Sequence, residues 1–191
     1  MNKEFWNDVA SKGALLGVLM ALSRIFELAL VSNWTVKSMM IVGIEYIIVA
    51  VIYVWLLYRF AKRAASRLGS KERGFSYVQG LVYVLWVSIF AGVIAGLANY
   101  LYMHYVIGYG NFVEGYSSFL MGMMSATADM PSNLVQMVNE GLRALENSTE
   151  PSIFDDIISG INTYFLSGLV CGLFIAAGVK RGPEIFNDEE S

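Results

Sequence analysis

Three ionisable residues stand inside stretches that are otherwise apolar: Arg24, Glu27 and Glu45. Charge in hydrocarbon is costly, so such residues sit against a partner or along a wetted path. The planar fork of an arginine pairs well with one carboxylate and can reach two. With both glutamates ionised the group carries net −1, which burial opposes. One glutamate, Glu45 being the stronger candidate, would then exchange a proton. That chemistry suits proton- or cation-coupled movement of a substrate. The competing reading is an ion cluster that fixes helix register and moves nothing, because structural networks also bury charge.

Helical spacing supplies neighbours for these charges. Gly13, Gly17, Met20, Arg24 and Glu27 fall on one stripe of the first apolar run, and the small residues let another helix approach there. Counted from the inner end of its run, Arg24 lies roughly 15 Å deep, Glu27 roughly 20 Å and Glu45, on the next run, roughly 18 Å. Ser88, Gly92, Ala95 and Asn99 form a small polar face on the third run. Thr163, Ser167 and Cys171 do the same on the fourth, beside Gly168, Gly172 and Ala176. The spacing therefore predicts a polar layer at mid-membrane, centred on Arg24, Glu27 and Glu45, with Ser88, Asn99 and Ser167 near it.

The elements that must position this layer follow from composition. Of 191 residues, 56% are hydrophobic and 15% charged, where soluble domains carry roughly a quarter charged. The mean hydropathy is +0.53. The apolar excess gathers into four runs, about 14–31, 39–57, 77–98 and 157–179, each near the ~20 residues that cross a bilayer as a helix. The expectation is an all-α integral membrane protein, a single membrane domain over 1–191. Disorder, a disulfide scaffold (Cys171 is the one cysteine) and nucleic-acid binding are excluded, the last by a net charge of −3. Residues 1–13 do not read as a secretory signal, because Glu4 and Asp8 dilute the basic start. Phe5, Trp6 and Val9 share a helical face, so this segment is expected either to lie on the membrane surface before span one or to be a plain, partly frayed N-terminus.

Charge sets the orientation. Lys3, Lys12, Arg59, Lys62, Arg63, Arg67, Lys71, Arg73, Lys180 and Arg181 fall on one side, and only Lys37 and Arg143 on the other. Ten basic residues against two put both termini and a basic loop, 58–76, in the cytoplasm. An extracytoplasmic segment, 106–152, separates spans three and four. Gly108 and Gly110 break the chain, and Pro131 opens an amphipathic helix with Leu134, Val138, Leu142 and Leu145 on one face. Phe119 to Met130 is adaptable, methionine-rich apolar surface. Ser152 and Asp155 make a capping box for span four, and Asp155 and Asp156 suit its positive N-terminal end. Asn33-Trp34-Thr35 and Asn147-Ser148-Thr149 match the glycosylation pattern, which matters only in a eukaryotic secretory host.

Enzymatic chemistry has little support. His104 is the single histidine and no nucleophile is placed beside it, while metal-ligand, phosphate-loop and nucleotide motifs are absent. No catalytic residue, cofactor or metal is expected. The expected partners are the lipid bilayer, a second copy or another membrane protein, and anionic lipid at the basic inner loop.

Phe75-Ser76-Tyr77-Val78-Gln79-Gly80 enters span three and Asn99-Tyr100-Leu101-Tyr102-Met103-His104-Tyr105 leaves it. With a helical outer segment, a glycine-rich fourth span and a closing Lys180-Arg181, the chain resembles an uncharacterised bacterial family of four-span membrane proteins, domain of unknown function family 4199. The resemblance implies the four-helix architecture and a bacterial inner-membrane setting, and it implies no activity. The function expected is therefore a non-catalytic membrane protein, self-associating or an accessory subunit. The alternative is a small proton- or cation-coupled transporter or channel subunit using the buried Arg/Glu cluster.

Overall fold

The computed structural model describes residues 3–31, 35–69, 74–126 and 132–182, and these are helical apart from short connections. The helices are α1 (Lys3–Val31), α2 (Val36–Leu68), α3 (Tyr77–Tyr102), α4 (Tyr109–Ala126), α5 (Ser132–Glu146) and α6 (Ile153–Val179). A π-helical turn, Met103–Ile107, extends α3, and Gly108 stops it with φ +81°. Only glycine adopts such a backbone cheaply. Gly110, expected to share in the break, lies inside α4. Four helical segments, Lys3–Leu30, Lys37–Leu68, Tyr77–Ile107 and Ile153–Val179, are long and apolar enough to cross a bilayer. The chain is a multi-pass membrane protein by that measure.

Local sequence marks the helix starts. Thr35 with Ser38, Ser76 with Gln79 and Ser152 with Asp155 each form a reciprocal capping box. The third is the one expected from sequence. Pro131 and Trp34 fall outside the described residues, as do Asn33, Lys71, Arg73 and Thr127 to Met130 at the end of the methionine-rich stretch.

α3 is the central helix, with α6 and α1 packed most extensively on it and α2 lying outside, mainly against α1 and α6. Its two contact faces are built differently. Toward α6 they are nearly bare backbone: a methyl group added to Gly92 would come within 2.7 Å of the Gly160 carbonyl, and one on Gly172 within 3.0 Å of Leu81. Methyl groups on Gly96 and Gly160 would collide with the facing helix. Such close approach is what small residues permit between helices in lipid. Toward α1, Gly13 meets Val87 and Phe90, and Gly17 meets Ala91 and Ile94. These pairings run α1 and α3 in one direction, with α6 antiparallel to both. The starts of α1 and α3 and the ends of α2 and α6 gather at one end, called the terminal end below. There Phe75 and Arg181 exchange backbone hydrogen bonds of 3.0 Å, clasping the chain before α3 to the end of α6. The opposite, hairpin end carries α4 and α5, which pack on each other, with α4 also on the π turn, rather than on the four long helices.

Two expectations about elements are corrected. Over residues 3–13 the expected surface segment does not form: Lys3–Val31 is one unbroken helix, with Phe5 and Val9 buried in the core and Phe5 edge-on to Tyr83. Apolar contact with α3 fixes those first turns in the bundle. The basic loop 58–76 is also largely helix, since α2 continues to Leu68 and carries Arg59, Lys62, Arg63 and Arg67.

Candidate functional site

The polar side chains of the long helices are joined at three depths, and α3 contributes to each. At the terminal end Tyr83 on α3 donates to Asp8 Oδ2 on α1 at 2.7 Å. Arg67 on α2 meets the other oxygen of Asp8 at 3.3 Å. In the middle, Tyr53 on α2 donates to Ser88 on α3 at 2.9 Å, with the Tyr164 carbonyl of α6 at 3.3 Å. Ser88 is fully buried and seated against Gly168, where a methyl group would strike its hydroxyl. At the hairpin end, Arg24 on α1 donates through Nε to Asn99 Oδ1 on α3 at 2.9 Å and through a terminal nitrogen to Glu27 at 2.5 Å. Asn99 Nδ2 donates in turn to Asp156 on α6 at 3.0 Å.

Asn99 is the residue that makes the last arrangement possible. Its carbonyl accepts from a cation and its amide donates to an anion, so it links Arg24 to Asp156 without direct contact between them. The Arg24 and Glu27 side chains are 41% and 28% exposed, so the pair lies at the edge of the bundle.

The expected polar layer is thereby divided. Arg24, Glu27 and Asn99 are brought together, with Asp156 as an added member. Glu45 is not bonded to Arg24: it accepts from the Ser23 hydroxyl, and it lines an open groove of about 270 Å³ with Leu19, Leu22, Phe26, Val49 and Ile52. Ser88 serves the middle tie instead. Ser167 is exposed and returns its hydroxyl to the Thr163 carbonyl one turn earlier at 2.8 Å, outside any of the three.

Position along the helices separates the charges from the middle of the bundle. Because α1 begins at Lys3, Arg24 stands about 32 Å along it, and Asn99 about 33 Å along α3, at 1.5 Å per residue. Asp156 is in the first turn of α6. The charges therefore mark the hairpin end of the long helices, and their middle is occupied by the neutral Tyr53–Ser88 pair. Tyr53, Tyr83, Asp8 and Asp156 were not anticipated as members of such ties. For Asp8 the signal was present, since Phe5, Val9, Leu16 and Met20 continue the α1 spacing without a break. For Asp156 it was hidden, because an acid in a first turn is already explained by the helix dipole.

His104 is stacked on Tyr100 at 5.3 Å and bonded to Glu150 at 2.5 Å, where it fastens the π turn to the segment before α6. Tyr109 and Ser148 make a second such link at 2.6 Å. Among the described residues, buried side-chain nitrogen and oxygen atoms all have a hydrogen-bond partner, and no group of three or more metal-ligating side chains occurs. Together the three sets of bonds join all four long helices to one another.

None of the curated proteins and none of the solved structures matches the chain. A model of the family described as "Protein of unknown function (DUF4199)" matches residues 12–181, which takes in α1 from Lys12 onward, the whole of α2, α3 and α6, and the hairpin between them. The chain belongs to that family.

Proposed function

We propose that the protein is a non-catalytic integral membrane protein that works by assembling in the bilayer, with a second copy of itself or as an accessory subunit of a larger complex. The observation that carries this reading is the use made of the polar groups: at each depth they bond helix to helix, with α3 as common partner. Such networks rigidify a bundle. Assembly is supported by how little of two helices the chain covers by itself. Only 11% of the apolar window is buried in α2 and in α6, against 44% in α3. Lipid covers such faces too, so copy number decides. The positive-inside bias of ten basic residues to two supports a cytoplasmic terminal end and an extracytoplasmic hairpin. The family resemblance supports a bacterial inner membrane. Counting copies of the chain in lipid nanodiscs by mass photometry tests the reading. Two or more copies, or a fixed ratio to a co-purified membrane protein, is the expected result. One copy alone at every protein-to-lipid ratio overturns assembly.

A second reading, proton- or cation-coupled movement, is favoured by one feature: Glu45 opens onto an apolar groove with Ser23 as its hydrogen-bond donor. Difference infrared spectroscopy between pH 5 and 9 tests it. A carboxyl band that titrates and vanishes in Glu45→Gln supports an exchangeable proton, and no titrating band removes the reading.

A further inference from the structure

One face of α2 at the terminal end is not used by any of the three ties, apart from the contact of Arg67 with Asp8. Trp55, Tyr58, Arg59, Lys62, Arg63, Ser66 and Arg67 line an open groove of about 520 Å³ there, within the range of about 300–1,000 Å³ that small-molecule sites occupy. The spacing of three and four residues puts them on one helical surface. Arg59 lies over the Trp55 ring at 5.1 Å and Lys62 over the Tyr58 ring at 5.8 Å. The aromatic rings thus hold two cations at a defined height instead of letting them extend freely. Arg67 gives part of its charge to Asp8, and its side chain stays 71% exposed. Among the described residues, only Asp8 and Glu4 bring negative charge to this end.

The same face continues toward the hairpin end as exposed aliphatic surface, through Val51 and Ile48 to Ile44. Cations at one end, aromatic rings at the boundary and a bare aliphatic track below them match an amphiphile with an anionic head. They do not match a soluble phosphate compound, which has no use for the track.

We propose that this face of α2 binds an anionic phospholipid, its phosphate between Arg59, Lys62 and Arg63 and an acyl chain along Val51 and Ile48. The site is a feature of a helix face, separate from the assembly reading above and narrower than a general attraction to basic loops. Each basic side chain near an anionic lipid surface changes affinity by roughly five-fold, so removing three lowers it on the order of a hundred-fold.

The test titrates the detergent-solubilised full chain with phosphatidylglycerol and with phosphatidylcholine, and counts retained lipids by native mass spectrometry. The expected result is retention of phosphatidylglycerol in preference to phosphatidylcholine. The preference is lost in the triple variant Arg59→Gln, Lys62→Gln, Arg63→Gln and kept in Lys180→Gln, Arg181→Gln, which removes charge at the same end outside the groove. If the triple variant fails to insert, Arg63→Gln alone carries the test, with a roughly five-fold loss expected and no change overturning the site. Equal retention of both lipids by the parent overturns the proposal. Equal loss in the two charge variants does so too, since it reports overall charge. Displacement of phosphatidylglycerol by glycerol phosphate at matching concentration also overturns it, in favour of a soluble phosphate ligand.

Discussion

Asn99 holds opposite charges on its two sides, and that makes it the most sensitive position in the hairpin-end network. Asn99→Asp keeps the acceptor facing Arg24 but turns a donor toward Asp156 into a second carboxylate. A loss of about 1–3 kcal/mol is expected despite the near-identical shape. Adding Asp156→Asn restores a donor opposite the new acid, so the double variant should recover most of the loss. Denaturant titration in mixed micelles measures the cycle. Tyr53→Phe removes the donor to Ser88 and should cost about 0.6 kcal/mol, with a ceiling of about 1.7 kcal/mol for hydrogen bonds in this setting. Ser167→Ala, which removes a bond within one turn of an exposed helix face, should change stability little on the same titration. At this scale the sequence was informative about which residue types are out of place in hydrocarbon, and it named Arg24, Glu27 and Asn99 together. It could not separate Glu45 from them or see Tyr53, because depth and rotation depend on where the helices start and how they face one another. Starting α1 at Lys3 instead of residue 14 adds eleven residues, or about 17 Å, to the position of Arg24 along the helix.

Among the elements, the α3–α6 contact bears most directly on how the ties are held. Gly92, Gly96 and Gly160 meet as backbone, so a larger side chain there has no room to turn aside. Gly160→Leu is expected to cost at least about 1–3 kcal/mol by overpacking, and it should break the Asn99–Asp156 bond by pushing α6 outward. Gly43 is the control, because a methyl group there meets nothing within 4 Å. Gly43→Ala should raise stability by about 0.5–1 kcal/mol through helix propensity alone. Melting curves of both variants in one detergent would check the contrast. The four long helices were legible from apolar runs of sufficient length, and the capping box at Ser152 from its residue types. The helical continuation of α2 through its basic residues was not, since charge disposition predicts a side of the membrane and is silent about conformation. Nor was the inclusion of residues 3–13 in α1: an amphipathic first segment fits a membrane surface as well as a bundle until the partner face on α3 is known.

For the whole molecule, the arrangement places the basic side chains of the second half of α2 at the terminal end and the hairpin at the other. In a Cys171→Ser background, a membrane-impermeant maleimide applied to intact cells should label Asn147→Cys and leave Ser66→Cys unmodified until the membrane is opened. The reverse pattern would invert the proposed orientation. Inside that frame, the proposed role of the polar groups in the spans is to tie helices together, with no ion carried. The centre of the bundle supports this, being filled by Tyr53, Ser88 and the glycine contacts of α6. Proton flux into proteoliposomes, driven by an imposed gradient and compared between the parent and Glu45→Gln, tests the claim most directly. Both gradients are expected to decay at the rate of protein-free liposomes. Faster decay with the parent, slowed by Glu45→Gln, would contradict the tying role and make Glu45 the centre of a transport pathway.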